Sequence, residues 1–144
     1  MTEQEKNIQL VKDVYSAIAR GDVQTVLNSL ADNVDWQSPV TNIVSEPISW
    51  AKPRKNRDEV KAFFRELFEK VKILDMKPIT FIAQDDRVVV EGTLRGIVNS
   101  TNREYLFNWV MVFTIKNGKC VRMHNYGDTA DISRAFLMEM RKAA

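Results

Sequence analysis

Between residues 76 and 127 the chain has room for little except β-strand. Four runs, MKPITFIAQ, RVVVEGTLRGIV, EYLFNWVMVFTI and KCVRMHNYG, are rich in β-branched and aromatic residues. They are separated only by Asp85-Asp86, Asn99–Asn102 and Asn117-Gly118, all turn-forming sequences. Connections this short cannot carry a crossover helix, so the strands must pair as an antiparallel meander. Whatever precedes and follows has to cover that sheet.

The preceding segment is helical. Residues 4–19 place Ile8, Val11, Val14, Tyr15 and Ile18 near a 3.6-residue period, and Gly21 supplies a left-handed stop. Asp22 can cap a second helix carrying Val23, Val26, Leu27 and Leu30. NVDWQSPV then shifts to a period of two, with Val34, Trp36 and Ser38 on one face and Pro39 ending the strand. Residues 41–56 contain Pro47 and Pro53 and have no period, which makes them a long loop and a candidate lid with Trp50 pointing inward. The basic end of that loop, KPRKNR, reads as a solvated face. NRDEVKAFFRELFEKVKIL is the strongest helix: Asn56 caps it, Asp58 and Glu59 suit its positive end, and Val60, Phe63, Phe64, Leu67, Phe68 and Val71 form its apolar stripe. After the meander, ADISRAFLMEMRK is again helical, with Ile132, Ala135, Phe136 and Met140 roughly on one side.

The expected fold is therefore α+β and occupies residues 1–144 as one domain. It is a cone-shaped, curved, mostly antiparallel sheet wrapped on one face by three N-terminal helices, with a short C-terminal helix. A curved sheet covered on one side leaves a conical cavity. Strand alternation indicates which residues face it. Phe107, Trp109, Met111, Phe113 and Ile115 share one face of their strand; Val121, Met123, Asn125 and Gly127 share the more apolar face of the last. Cys120, Arg122, His124 and Tyr126 then point outward.

Composition narrows the function classes. Twenty-one Lys/Arg against nineteen Asp/Glu give a net charge of +2, no basis for nucleic-acid or membrane-surface binding. The single cysteine excludes an internal disulfide, and with one histidine the chain lacks the ligands for a Cys/His zinc site. No metal or cofactor is expected. The polar opening MTEQEKNIQL and the absence of a membrane-length apolar run lead to the expectation of a cytoplasmic protein.

The stretches VKDVYSAIARGDVQTVLNSLADNVDW and NWVMVFTIKNGKCVRMHNYGDTADI, with NRDEVKAFF between them, resemble the SnoaL-like branch of the nuclear transport factor 2-like superfamily. Relatives in that branch include ketosteroid isomerases and polyketide cyclases. The resemblance covers most of the chain and implies an apolar pocket between helices and sheet, usually in a homodimer formed through the outer sheet face. It specifies fold better than reaction, because such a fold hosts enzymes, binders and association domains. Ketosteroid isomerases need a carboxylate base together with a tyrosine and a protonated Asp at the oxyanion. Those positions fall here on Ser38, on Val14 (Tyr15 is one residue away) and near Met111. The roles are vacant, which excludes steroid isomerisation by that mechanism.

HNYGDTADI, residues 124–132, holds the only histidine, and a nearby Asp128 invites a catalytic reading. Strand parity turns His124 outward, and Glu91 and Arg95 likewise oppose the inward Val90 and Leu94. Asp128, at a strand–helix junction, suits a helix cap better than a general base, though the second role stays open. The candidate ligand-binding residues are Trp36, Ser38, Trp50, Trp109, Met111, Met123 and Asn125; the catalytic candidates are Asn125, Tyr15 and Asp128. Asn125 is the most informative, because an amide on an apolar face must find a ligand, a water or a neighbour; leaving it unpaired costs roughly 1–3 kcal/mol. Three functions remain open at this level: a binder of an apolar small molecule, a cyclase, hydratase or isomerase acting on a polyketide- or steroid-like substrate, and a dimerisation module.

Overall fold

The computed structural model describes residues 1–137. Among these residues four helices and five strands follow in the order α1 (Glu3–Ala19), α2 (Val23–Asn28), β1 (Leu30–Gln37), α3 (Arg57–Lys70), β2 (Val71–Gln84), β3 (Arg87–Val98), β4 (Arg103–Lys116), β5 (Lys119–Gly127) and α4 (Thr129–Ala135), with a 3-10 turn at Ser49–Ala51. The strands form one sheet in the order β1-β5-β4-β3-β2. The meander is antiparallel throughout, and β1 joins its far edge parallel to β5. The curved sheet and its helices are the α+β architecture expected from the sequence.

Local chemistry sets most boundaries. The Thr25 N–H donates to Asp22 Oδ1 at 3.1 Å and the Glu59 N–H to Asn56 Oδ1 at 2.9 Å, so both expected caps are in place. The Glu59 carboxylate in turn accepts from the N–H of Lys55, the residue before the cap, at 2.8 Å, which fixes the entry into the helix. Asn117 and Gly118 both adopt positive φ, 52° and 73°, as a two-residue hairpin matched to the strand twist demands.

Several boundaries differ from the sequence expectation. Leu30 starts β1 rather than ending α2, so this strand begins three residues before NVDWQSPV and stops at Gln37, before Pro39. Helix α3 ends at Lys70; Val71 to Leu74 already belong to β2, where Val71 pairs with Val98. Ladder pairing outweighs the helical period there, because both residues can be buried in either state. The terminal helix is seen as Thr129–Ala135, and Met140 lies outside the described residues.

The parity of β5 also changes along its length. A bulge lets Ile115 pair with Cys120 while Thr114 pairs with Arg122, so one residue of β5 is skipped. Cys120 consequently faces the core and is buried, contrary to the outward placement expected for it, and Val121 is only half-buried. Burial pushes the Cys120 thiol up to about 12. Downstream of the bulge the expected alternation holds: Met123 and Asn125 are buried, while Tyr126 is exposed.

Two strand glycines explain how aromatic rings fit against a tightly paired sheet. A Cβ on Gly92 would lie 2.3 Å from Trp109 Cζ2 and 2.5 Å from the Lys77 carbonyl oxygen; one on Gly127 would lie 2.2 Å from Phe107 Cζ. The missing side chains let these two β4 rings lie against the strand backbones.

Candidate functional site

The inner face of the sheet, α1, α3 and the loop after β1 enclose a cavity. Space open to the centre of a water molecule amounts to about 80 Å³. Adding a water radius on every side of a compact void of that size gives roughly 300 Å³, at the lower end of small-molecule sites. Trp36, Ser38, Trp50, Trp109, Met111, Met123 and Asn125, the residues expected to bind a ligand, all line it. Strand alternation brings Trp109, Met111, Met123 and Asn125 there, β1 brings Trp36, and the segment after β1 brings Ser38.

The wall is almost wholly apolar, and its polar points are few. Asn125 Nδ2 donates to Ser38 Oγ at 3.0 Å, joining β5 to the segment after β1. The other end of the amide, Oδ1, is buried with no hydrogen-bond partner among the described residues. The indole Nε1 atoms of Trp36 and Trp109 share that condition. Main-chain bonding supports the same corner, since the Val40 N–H donates to the Asn125 carbonyl at 2.7 Å. Tyr105, one strand period before Phe107, also lines the cavity; burial pushes its phenol up to about 12, so it is protonated at neutral pH. Sequence reasoning passed over Tyr105, although the alternation that selected Phe107 and Trp109 includes it.

The catalytic candidates are dispersed. Tyr15 is buried but does not line the cavity; α1 presents Val14 and Ile18 instead. Its hydroxyl donates to Met111 Sδ at 3.1 Å, its ring stacks on Trp109 at 5.4 Å, and burial raises the phenol far above its ordinary value. Asp128 caps α4, accepting from the Ala130 N–H at 3.1 Å, and borders a shallow depression on the outer sheet face with Glu91, Asn108 and Tyr126. It is therefore outside the cavity.

His124 does find an aspartate, on the outer face. Arg122 Nη2 lies 3.1 Å from His124 Nδ1, and His124 Nε2 lies 3.1 Å from Asp35 Oδ1. A guanidinium only donates, so Nδ1 accepts and the Nε2–H donates to the carboxylate. Both ring nitrogens are thus engaged. Partial burial works to raise the Asp35 carboxyl, but the His124 hydrogen bond and the charge of Lys55 outweigh it and hold it below its ordinary value. The pair was invisible in the sequence because it depends on the parallel β1–β5 register, Asp35 opposite Arg122 and Gln37 opposite His124.

The loop 41–56 is a wall of the cavity, to which it contributes Ile48 and Trp50. Arg54, expected among solvated basic residues, is instead only 3% exposed. Its Nη2 donates to Glu66 Oε2 at 3.1 Å and to the Trp50 carbonyl at 3.2 Å, and Nη1 reaches Glu66 Oε1 at 3.4 Å. The Arg54 backbone also pairs with Trp36, in both directions, at 2.7 and 2.9 Å. Gln37 Nε2 completes the attachment by donating to the carbonyls of Ala51 and Thr41 at 2.9 and 3.1 Å. These bonds satisfy backbone carbonyls around the buried part of the loop, Trp50, Ala51 and Arg54, while most of the rest stays exposed.

Among the described residues no group of three or more His, Cys, Asp or Glu could hold a metal ion, and no helix is long and apolar enough to cross a membrane.

The sequence profile of the SnoaL-like domain matches residues 11–123. No curated protein matches the chain. Among solved structures, an NTF2-like protein of unknown function from Burkholderia pseudomallei is 31% identical, covers 96% of this chain and 100% of its own, and superposes with a TM-score of 0.82. A candidate polyketide cyclase from Xanthomonas campestris pv. campestris, 18% identical, has a TM-score of 0.77 with 93% and 98% of the two chains covered. An epoxide hydrolase of the LEH-like kind from M. tuberculosis, 19% identical, has a TM-score of 0.70 with 93% and 91% covered. At those last two identities the likeness is one of fold. With the profile spanning most of the chain, the protein belongs to the SnoaL-like domain family of the NTF2-like superfamily.

Proposed function

We propose that the protein binds a neutral, largely apolar small molecule in the cavity between sheet and helices. The observation that carries this reading is the Asn125–Ser38 pair: a buried amide, bonded at one end and unpaired at the other, set in an apolar wall. In a core devoted only to packing such a group costs stability, whereas a ligand hydroxyl would complete it. Neutrality follows from the lining, which among the described residues contains no Asp, Glu, Lys, Arg or His; a buried ion would find no countercharge there.

The same lining argues against proton-transfer catalysis. The only ionisable group on it among the described residues is Tyr105, whose raised phenol is a poor base at neutral pH, while His124 and Asp128 lie outside. The cyclase and hydrolase named above support a small organic molecule as the occupant class, not their own reactions.

Calorimetric titration with neutral ring compounds such as tetralin and 1-tetralone tests the reading. Saturable one-to-one binding is expected, and Met76→Trp, which adds an indole to the half-buried margin of the cavity, should abolish it. No binding, or binding unchanged by the filled variant, would overturn the proposal.

Homodimerisation through the outer sheet face, expected from the family, forms part of the same proposal. It is supported by Ile79, Ile82, Leu106 and Tyr126, between 45% and 64% exposed on that face.

A further inference from the structure

Resting on the outer-face dimer proposed above, we infer that its two-fold axis runs across the strands through Val89, so that Arg87 of each copy pairs with Glu91 of the other. The ladder fixes the rows of the outer face. Ile82, Val89, Val112 and His124 lie side by side across β2 to β5. The next row on one side holds Arg87 and Arg122, and the next on the other holds Glu91, Val110 and Tyr126. Ile82 is 55% exposed and Val89 and Val112 are half-buried, so the middle row is an apolar strip open on the outside. Arg87 and Glu91 each stand two residues from Val89, about 7 Å along the strand in opposite directions, too far apart to pair within one chain. Both are exposed, and neither has an ion-pair partner among the described residues. Other charges of this face are answered at home: Arg95 lies 2.7 Å from Glu104, Lys77 3.4 Å from Asp75 and Arg122 3.9 Å from Asp35.

Charge decides among the possible axes. In a closed dimer the same patch meets itself, and stacked sheets keep their strands nearly aligned. An axis along β3 would set Arg87 on Arg87 and Glu91 on Glu91; one along β4 would set Arg87 on Arg122. Like charges brought face to face disfavour both. A cross-strand axis through Thr93 would offer Glu91 the second copy's Arg95, but Glu104 already holds Arg95, and Lys77 would meet itself. The axis through Val89 lays the apolar row on itself and makes the Arg87–Glu91 pair twice. It also brings Arg122 to the exposed ring of the second copy's Tyr126, a cation–π arrangement. The depression beside Glu91, bordered by Asn108, Tyr126 and Asp128, then receives the second copy's Arg87. His124, at the end of the apolar row, is recessed at 14% exposure with both nitrogens engaged, so its self-contact sets no free charge against another.

Arg87→Glu and Glu91→Arg test the pairing, with sedimentation equilibrium on wild type, on each variant alone and on their equimolar mixture. Each variant alone meets like charges at both sites, and its dimer dissociation constant should rise roughly tenfold or more. In the mixture the two variants complement each other at both sites, so a heterodimer close to wild type in strength is expected. The double variant, Arg87→Glu with Glu91→Arg, should dimerise as wild type does. Single variants that dimerise like wild type, or weakened ones that fail to recombine, would overturn the inference; the outer-face reading would stand if His124→Asp with Tyr126→Asp still gave monomers. A monomeric wild type, the result if this face takes a different protein, would remove the inference and the outer-face reading together. So would a dimer indifferent to all of these changes. Both substituted residues are exposed, so the variants should melt close to wild type, and recombination in the mixture shows directly that each is folded.

Discussion

Asn125 sits between two rings that leave the sheet on its other side, and its environment is almost the reverse of theirs. His124 has both nitrogens bonded and Tyr126 is exposed, whereas Asn125 is buried with half its amide unanswered. Replacing it with leucine removes an unpaired polar group and keeps the volume close to constant. Asn125→Leu should therefore abolish calorimetric binding of a hydroxyl-bearing ring compound while leaving the melting temperature unchanged or higher; unaltered affinity would remove Asn125 from the site. Gly92 gives the opposite kind of prediction. Its added methyl would meet the Lys77 carbonyl oxygen, a backbone atom that cannot rotate aside, as well as the Trp109 ring. Gly92→Ala should cost about 1–3 kcal/mol in chemical denaturation, the range for overpacking, and a loss below about 0.5 kcal/mol would mean the sheet yields more easily than its pairing implies.

Among the elements, the loop 41–56 stands out because it has little regular structure and still forms a wall. Its attachment is the buried Arg54 guanidinium on the Glu66 carboxylate, with Lys52 on the same carboxylate at 3.2 Å. Burial alone would raise Glu66, but hydrogen bonds from Arg54 and Lys52 outweigh it and hold the carboxyl below its ordinary value. A carboxyl depressed in the folded state contributes stability that is complete above its unfolded value, about 4.3, and fades as pH falls through the folded one. Glu66→Gln should accordingly lower stability by about 2 kcal/mol at pH 7, less than for a fully buried pair because Glu66 keeps some solvent contact. The gap between wild type and variant, followed by thermal melts from pH 7 down to 3, should narrow on the acid side; a constant gap would show that the ion pair is not what holds the loop. Its role was hidden in the sequence, where KPRKNR looks like any solvated basic run. Only the packing of α3 against β1 buries one of its arginines beside a carboxylate.

For the molecule as a whole, the helices occupy one side of the sheet and leave the other to solvent or to a second copy. His124→Asp with Tyr126→Asp would place two further carboxylates on the outer face, one of them beside Asp35, and should give monomers on a sizing column. A dimer surviving both changes would move the interface elsewhere. What the sequence determined by itself is everything set by near neighbours along the chain. Capping residues positioned α2 and α3, Asn-Gly made the β4–β5 hairpin, and the period-two pattern put Trp109, Met111, Met123 and Asn125 on one face; the family resemblance gathered these into a cone. Tertiary structure decided what depends on distant pairing. The parallel β1–β5 register joined Asp35 to His124, a single bulge turned Cys120 inward, the β2–β3 ladder took Val71 from its helix, and the turn of α1 gave the cavity Val14 in place of Tyr15. Alternation and propensity are short-range signals that survive in one dimension. Register across a sheet and the partner of a buried charge are settled by residues as much as 90 positions apart, as with Leu30 and Cys120, whose meeting no local pattern encodes.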